Sequence, residues 1–279
     1  MKCATLAVTI ISFLPKVYSW GASGHEAVGY ANILYSRFLA PKASSFVAST
    51  LASGETLSSA ATWADTVRSE SAFSWSAPFH FVDAEDNPPT SCSVSEKRDC
   101  SSGTCIPNYT SRVIDNSQSH EQFLGDVGQP LHVEAFEVGG NDVKAKCSGS
   151  STNLYVWDSG IINKRLKADF GNSVSSWAST LVTRIKSGEY ASLTSNWITC
   201  TSTTELAPKT RRNVEIDIKG HLASRSTSPD FVFTYTEFSD LCSTSYYDDA
   251  VPLIELQLAK QGFRLAAWLN VLFDGSTNL

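Results

Sequence analysis

Three of the five histidines keep company with acidic residues. His25 lies near the start of the chain, His80 sits between Phe79 and Phe81 after Asp65, and His132 follows Asp126 across a Gly128-Gln129-Pro130 turn. Imidazole and carboxylate are the side chains from which zinc sites are built, so scattered His and Asp can be gathered by a fold into a multi-metal centre. Each can equally be a satisfied core or surface residue, and spacing alone leaves that choice open. The charge balance bears on the first reading. With a formal net charge of -6 and a pI near 5.4, the chain can attract phosphates only through a local basic patch or a bound cation. The basic run Lys209, Arg211, Arg212 opens an atypical Ser/Thr-rich segment, 207–230, that reads as a solvated loop rather than a phosphate site.

The elements that must position these residues are mostly helical. The 279 residues are 42% hydrophobic and 11% aromatic, enough for a substantial core and incompatible with a disordered chain. No apolar run reaches the roughly 18 residues that a membrane span needs. Residues 1–19 read as a secretory signal: Lys2, then an apolar stretch from Ala4 to Leu14, then Val17 and Ser19 before the cleavage point. Cleavage there makes Trp20 the new N-terminus, leaves residues 20–279 as one domain, and removes Cys3. The six cysteines that remain, Cys92, Cys100, Cys105, Cys147, Cys200 and Cys242, are an even number suited to disulfides in a secreted protein. Cys100 and Cys105 flank a loop short enough for a small ring, and a zinc ribbon lacks its C-x-x-C knuckles. Asn108 begins the one clear glycosylation sequon.

Apolar residues at three- and four-residue steps predict a helix over 23–39, with Ser23 and Glu26 as its capping box. Further helices are expected from Pro41 to 51, over 57–69, from 108 to Asp126, over 173–187 and over 250–273. Residues 78–82 read as extended, 92–105 as a polar loop, and 133–146 as a small hairpin turning at Gly139-Gly140. The fold class is therefore all-α: a single mainly helical domain with one small β-hairpin.

Longer motifs carry a resemblance. They are Trp20-Gly21-Ala22-x-Gly24-His25, Trp63-Ala64-Asp65-x-x-Arg68, and the run from Phe79-His80-Phe81-Val82-Asp83 to Pro88-Pro89. To these add Phe123-Leu124-Gly125-Asp126 through Gln129-Pro130-Leu131-His132, then Gly139-Gly140-Asn141, then Asn153-Leu154 with Trp157-Asp158. The chain resembles the secreted zinc-dependent single-strand nucleases of fungi and plants, in the phospholipase C/nuclease superfamily. The similarity covers 20 to about 188 and resumes over 231–275. It implies a mainly helical fold with three zinc ions, acting on single-stranded RNA and DNA to give 5′-phosphorylated products, and on 3′-nucleotides. It also implies a secreted and monomeric protein. Carried over by residue, one zinc takes Asp65, His80 and a bridging Asp126. A second takes the amine and carbonyl of Trp20, His25 and the same Asp126. A third takes His132 and Asp158. The resemblance makes Asp65, Arg68 and Asp126 catalytic, and assigns Phe81, Asp83, Val138 and Asn141 to the nucleotide. It pairs Cys100 with Cys105 and Cys92 with Cys242, which leaves Cys147 and Cys200.

Two positions depart from the family pattern. Gln122 stands where a histidine lies one helical turn before Asp126, and His120 falls on another face. Tyr155 stands in place of a second histidine, in a motif one residue short. A neutral amide is a weak zinc ligand, and a phenol must ionise from a pKa near 10. The expectation is a nuclease with fewer than three zinc ions bound and weakened activity. The rival is a non-catalytic secreted protein that binds zinc or nucleotides on the same scaffold.

Overall fold

The computed structural model describes residues 20–29, 38–85, 96–99, 123, 125–126, 128–198 and 232–279. The expectations for the signal segment, Cys92, Cys100, Cys105, Cys200, Asn108, His120, Gln122 and 207–230 lie outside the described residues.

The organising element is a 30-residue helix near the C-terminus, which we number α9, Ser245–Asp274. Its predecessors are α1 (Ala22–Gly29), α2 (Pro41–Thr50), α3 (Leu57–Ala60), α4 (Trp63–Val67), α5 (Glu96–Asp99), α6 (Gly160–Asp169), α7 (Val174–Ser187) and α8 (Thr194–Trp197). α9 touches α1, α2, α6, α7 and α8, so most of its faces are covered. That explains why it carries buried residues nearly all round rather than on one stripe. Leu258, Leu265 and Ala266 of α9 join Trp20, Trp157, Ile161, Trp177 and Leu181 in the main core. The helix tolerates Pro252 near its start and stops at Gly275, whose φ of 81° gives the left-handed cap that glycine adopts without strain.

Several polar groups buried along α9 are matched. Glu255 accepts hydrogen bonds from Arg165, Arg184 and the Trp177 indole at 2.6–2.9 Å. Asn270 accepts from the Ala40 amide at 2.7 Å, and Asp274 accepts from the Lys42 and Ala43 amides at the start of α2. α7 follows its expected period, with Ser173 capping it through the Ser176 amide and Trp177, Leu181 and Ile185 buried. No described helix is long and apolar enough to cross a membrane.

Several local expectations are corrected. α1 begins at Ala22, so Ser23 lies inside the helix and is not its cap. The predicted helix over 57–69 is two short ones. Thr56 and Ser59 cap the first, but Thr62 leaves the helical region at φ -101° and ψ 6°. Hydroxyl side chains there hydrogen-bond the local backbone and compete with helix continuation. The extended reading of 78–82 fails at its start. Ser74–Phe79 is a 3₁₀ turn, and His80 remains in the helical region. The hairpin exists but is displaced: β1 (Lys144–Cys147) pairs antiparallel with β2 (Ser150–Asn153), and the turn is Ser148-Gly149. Both turn residues have positive φ, 52° and 83°, as a tight two-residue hairpin requires. Asp240 accepts from both turn amides.

The disulfide assignment of Cys92 with Cys242 is overturned, and so is the residual pairing of Cys147 with Cys200. Cys242 is joined to Cys147. The Lys146 amide donates to the Ser239 carbonyl at 2.9 Å, which lays β1 beside 239–242 and brings the two Cα atoms to 4.8 Å.

Candidate functional site

Six of the expected ligands meet beside the N-terminal end of α1. His25 comes from α1, Asp65 from α4, and His80 from the residue after the 3₁₀ turn. Asp126 is helical, His132 lies in the 3₁₀ turn Pro130–Val133, and Asp158 follows the 3₁₀ turn Leu154–Trp157. The segments are tied by their own backbones. The Gly21 amide donates to the Asp158 carbonyl at 2.7 Å, and the buried Trp20 indole donates to the Gly125 carbonyl at 2.9 Å. A Cβ at position 21 would lie 2.2 Å from Ser159 Oγ and 2.8 Å from the Asp158 carbonyl, so only glycine permits this approach.

Asp126 is the centre. Its carboxylate is fully buried, with Oδ1 3.1 Å from His25 Nε2 and Oδ2 3.0 Å from His80 Nδ1. Asp65 lies 3.8 Å from the same two nitrogens, one carboxylate oxygen toward each. Arg68 reaches Asp65 Oδ1 at 3.3 Å, one turn along. His132 Nε2 is 3.8 Å from Asp158 Oδ1.

The protonation pattern follows from partners. His132 Nδ1 is 3.0 Å from the His80 carbonyl, which can only accept, so Nδ1 carries the proton and Nε2 presents its lone pair toward Asp158. Burial raises the Asp126 carboxyl, but His25 and His80 outweigh it and hold the group well below its usual range. Burial likewise works against charge on His25, and Asp126 with Asp65 more than compensates, so its pKa is raised. Asp158 goes the other way. Burial pushes it far up, a hydrogen bond from Gln129 pulls down, and the negative charges of Asp126 and Asp65 push up again. Three carboxylates therefore crowd a water-poor space with one guanidinium beside them.

The expected nucleotide residues lie on a neighbouring segment. The Val82 amide donates to the His132 carbonyl and the Ala135 amide to the Ala84 carbonyl, so Phe81 and Asp83 run beside 132–135. Phe81 is half-buried, and the Asp83 carboxyl is raised by partial burial and then by Glu85. Val138 is 37% exposed, three residues beyond Ala135, and the Asn141 side chain donates to its carbonyl. Tyr155 belongs to the 3₁₀ turn before Asp158.

One residue escaped the sequence reading as a participant. Gln129 is buried, its amide nitrogen 2.5 Å from Asp158 Oδ1, while its Oε1 accepts from the Leu131 amide. The available signal was a polar residue held in a Gly-Gln-Pro turn between two candidate ligands.

Comparison with known proteins gives one family. The profile of the family described as S1/P1 Nuclease matches residues 20–274. Among similar proteins, Nuclease PA3 of a Penicillium species is 38% identical over 275 residues, spanning 90% of this chain and 97% of its own. Nuclease P1 of Penicillium citrinum matches with the same identity and coverage. Nuclease S1 of Aspergillus oryzae is 35% identical over 291 residues, spanning 98% of this chain and 96% of its own.

Proposed function

The chain belongs to the S1/P1 nuclease family and is a hydrolase of phosphodiester bonds, and we propose that it is a secreted, monomeric, zinc-dependent endonuclease acting on single-stranded RNA and DNA. The observation that carries the metal assignment is the clustering of three imidazoles with the carboxylates of Asp65, Asp126 and Asp158. Ligands about 2.0–2.1 Å from a tetrahedral zinc stand about 3.4 Å from one another. The separations of His25 and His80 nitrogens from the Asp126 and Asp65 oxygens, 3.0–3.8 Å, bracket that spacing. His80 Nε2 is also buried with no hydrogen-bond partner among the described residues, so Nδ1 is the ring's only bonded nitrogen, and it faces the carboxylates. These donor types and spacings support a zinc assignment.

On this reading Asp65, His80 and Asp126 hold one zinc. His25 and Asp126 hold a second, together with the Trp20 amine and carbonyl once cleavage after Ser19 frees that amine. His132 and Asp158 hold a third, more weakly. Bound zinc makes water a nucleophile near neutral pH and offsets phosphate charge. Arg68, steadied by Asp65, supports charge on the non-bridging oxygens. Phe81 and Val138 receive an unpaired base, and Asp83 bonds its edge. Stacking accepts any base but needs it out of a duplex, which gives strand selectivity without sequence readout. Asn141 holds the Val138 turn. Breaking the bond from phosphorus to O3′ leaves a 5′-phosphate on the strand, and the same break frees phosphate from a 3′-nucleotide. Gln122 and Tyr155 leave fewer than three zinc ions bound at micromolar zinc.

The deciding experiment is elemental analysis of the secreted chain, with cleavage of single-stranded RNA before and after chelation. Zinc-dependent cleavage supports the reading. Activity unchanged by an Asp126→Asn substitution overturns it, because that carboxylate lies between two donor sets.

A further inference from the structure

The donor cluster opens on one side into a cavity of about 530 Å³. Asp65, Asp158, Trp20 and Gly21 form one end of it. Beyond them its wall is made by Ser23, Thr62, Thr66, Arg68, Ser159 and Asn163. Phe81, Asp83, Val138 and Asn141 are not among its described lining, so it is a different surface from the base-receiving one. Its chemistry also differs. Four hydroxyls, one carboxamide and one guanidinium line it, and its single aromatic residue, Trp20, is completely buried and shows no ring face. Such a wall cannot stack a base. It presents donors and acceptors suited to sugar hydroxyls and phosphate oxygens, and its volume lies in the ~300–1,000 Å³ range of small-ligand sites.

We infer that this cavity holds the sugar–phosphate backbone of the strand on the far side of the scissile bond from the stacked base. The inference rests on the nuclease reading above and extends it. Arg68 lies where the cavity meets the donor cluster, within 3.3 Å of Asp65, so it spans the reacting phosphate and the next unit. Asn163, on the exposed side of α6, marks the outer end, with its Oδ1 3.5 Å from Ser23 Oγ. A strand passing through contacts α1, α4 and α6 through its backbone alone, which keeps this half of the site indifferent to sequence.

Charge placed at the outer end tests this, because Asn163 is exposed and its replacement leaves the core untouched. The probe is fluorescein-labelled pentathymidylate with phosphorothioate linkages, bound to the zinc-loaded chain and followed by anisotropy. Asn163→Glu should weaken binding at least ~5-fold. Asn163→Lys should tighten it by ~3-fold or more and steepen the salt dependence by about one phosphate contact. Ala168→Glu, exposed on the same helix but outside the cavity, should change affinity less than ~2-fold. If all three variants shift affinity only as their net charge does, the cavity proposal is overturned and the nuclease reading stands. If the unsubstituted chain neither binds the pentamer nor cleaves its phosphodiester counterpart, both are overturned together.

Discussion

At the residue scale, the site depends on groups that hold its donors as much as on the donors themselves. Gln129 touches no proposed reacting atom, yet it grips Asp158 at 2.5 Å and is pinned in turn by the Leu131 amide. Groups that orient metal ligands typically matter by about 10–100-fold in affinity. Gln129→Leu should therefore weaken the Asp158 zinc by about that factor while leaving the circular dichroism spectrum intact; a competition titration with a chromophoric chelator reads it. Asp126→Asn should remove detectable hydrolysis and at least one equivalent of zinc, since a neutral amide offers one oxygen and an NH2 donor where the carboxylate offers two oxygens sharing a negative charge. Of the two residues, Asp126 was recognisable from its motif. Gln129 was not, because nothing in a Gly-Gln-Pro turn says which way the amide points.

At the scale of elements, α9 and the β1 strand explain where stability resides. Lys260 is buried on α9, and burial lowers its pKa to about 8. In the unfolded chain the amine titrates near 10.4, so between these values the unfolded state binds more protons and stability rises with pH. Below about pH 8 the cost of charging it in the fold is constant, on the order of 3 kcal/mol. Lys260→Met should therefore be more stable than the parent at pH 7, and its advantage should shrink steadily toward pH 10.5. Urea denaturation of both proteins across that range reads the difference. The Cys147–Cys242 bond closes a separation of 95 residues between β1 and the turn before α9. Cys147→Ser should cost about 2–4 kcal/mol by loosening the unfolded-state constraint. Peptide mapping without reductant checks the pairing directly, and a Cys92–Cys242 peptide would restore the family assignment.

For the whole molecule, five segments spread from Gly21 to Asp158 meet at one cluster whose carboxylates repel each other. A bound cation relieves that repulsion, so metal binding and folding are linked. Chelation should lower the melting temperature of the protein by several degrees, as about 2–3 kcal/mol of lost binding would for a chain of this size. Restoring zinc should recover it. A melting temperature indifferent to chelator would mean that the cluster is held by the core alone.

The mainly helical class and the strongly periodic α7 and α9 were legible in the sequence, and so were His25, Asp65, His80, Asp126, His132 and Asp158 as residues to watch, though not their meeting in one place. Long periodic helices announce themselves, and long motifs survive as strings of residues. The exact turns did not show. Gly139-Gly140 and Ser148-Gly149 are equally good hairpin signals, and only pairing of β1 with its neighbours selects the second. The same contact overrode the inferred disulfide: cysteine spacing carries no distance, whereas the Lys146–Ser239 hydrogen bond brings Cys147 to Cys242. The tertiary structure alone decided that His25, His80 and His132 gather around the Asp126 carboxylate, that Gln129 holds Asp158, and that a hydroxyl-lined cavity continues past Arg68. Each of these is a meeting of segments far apart in the chain, and local pattern holds no information about which distant segment packs against which.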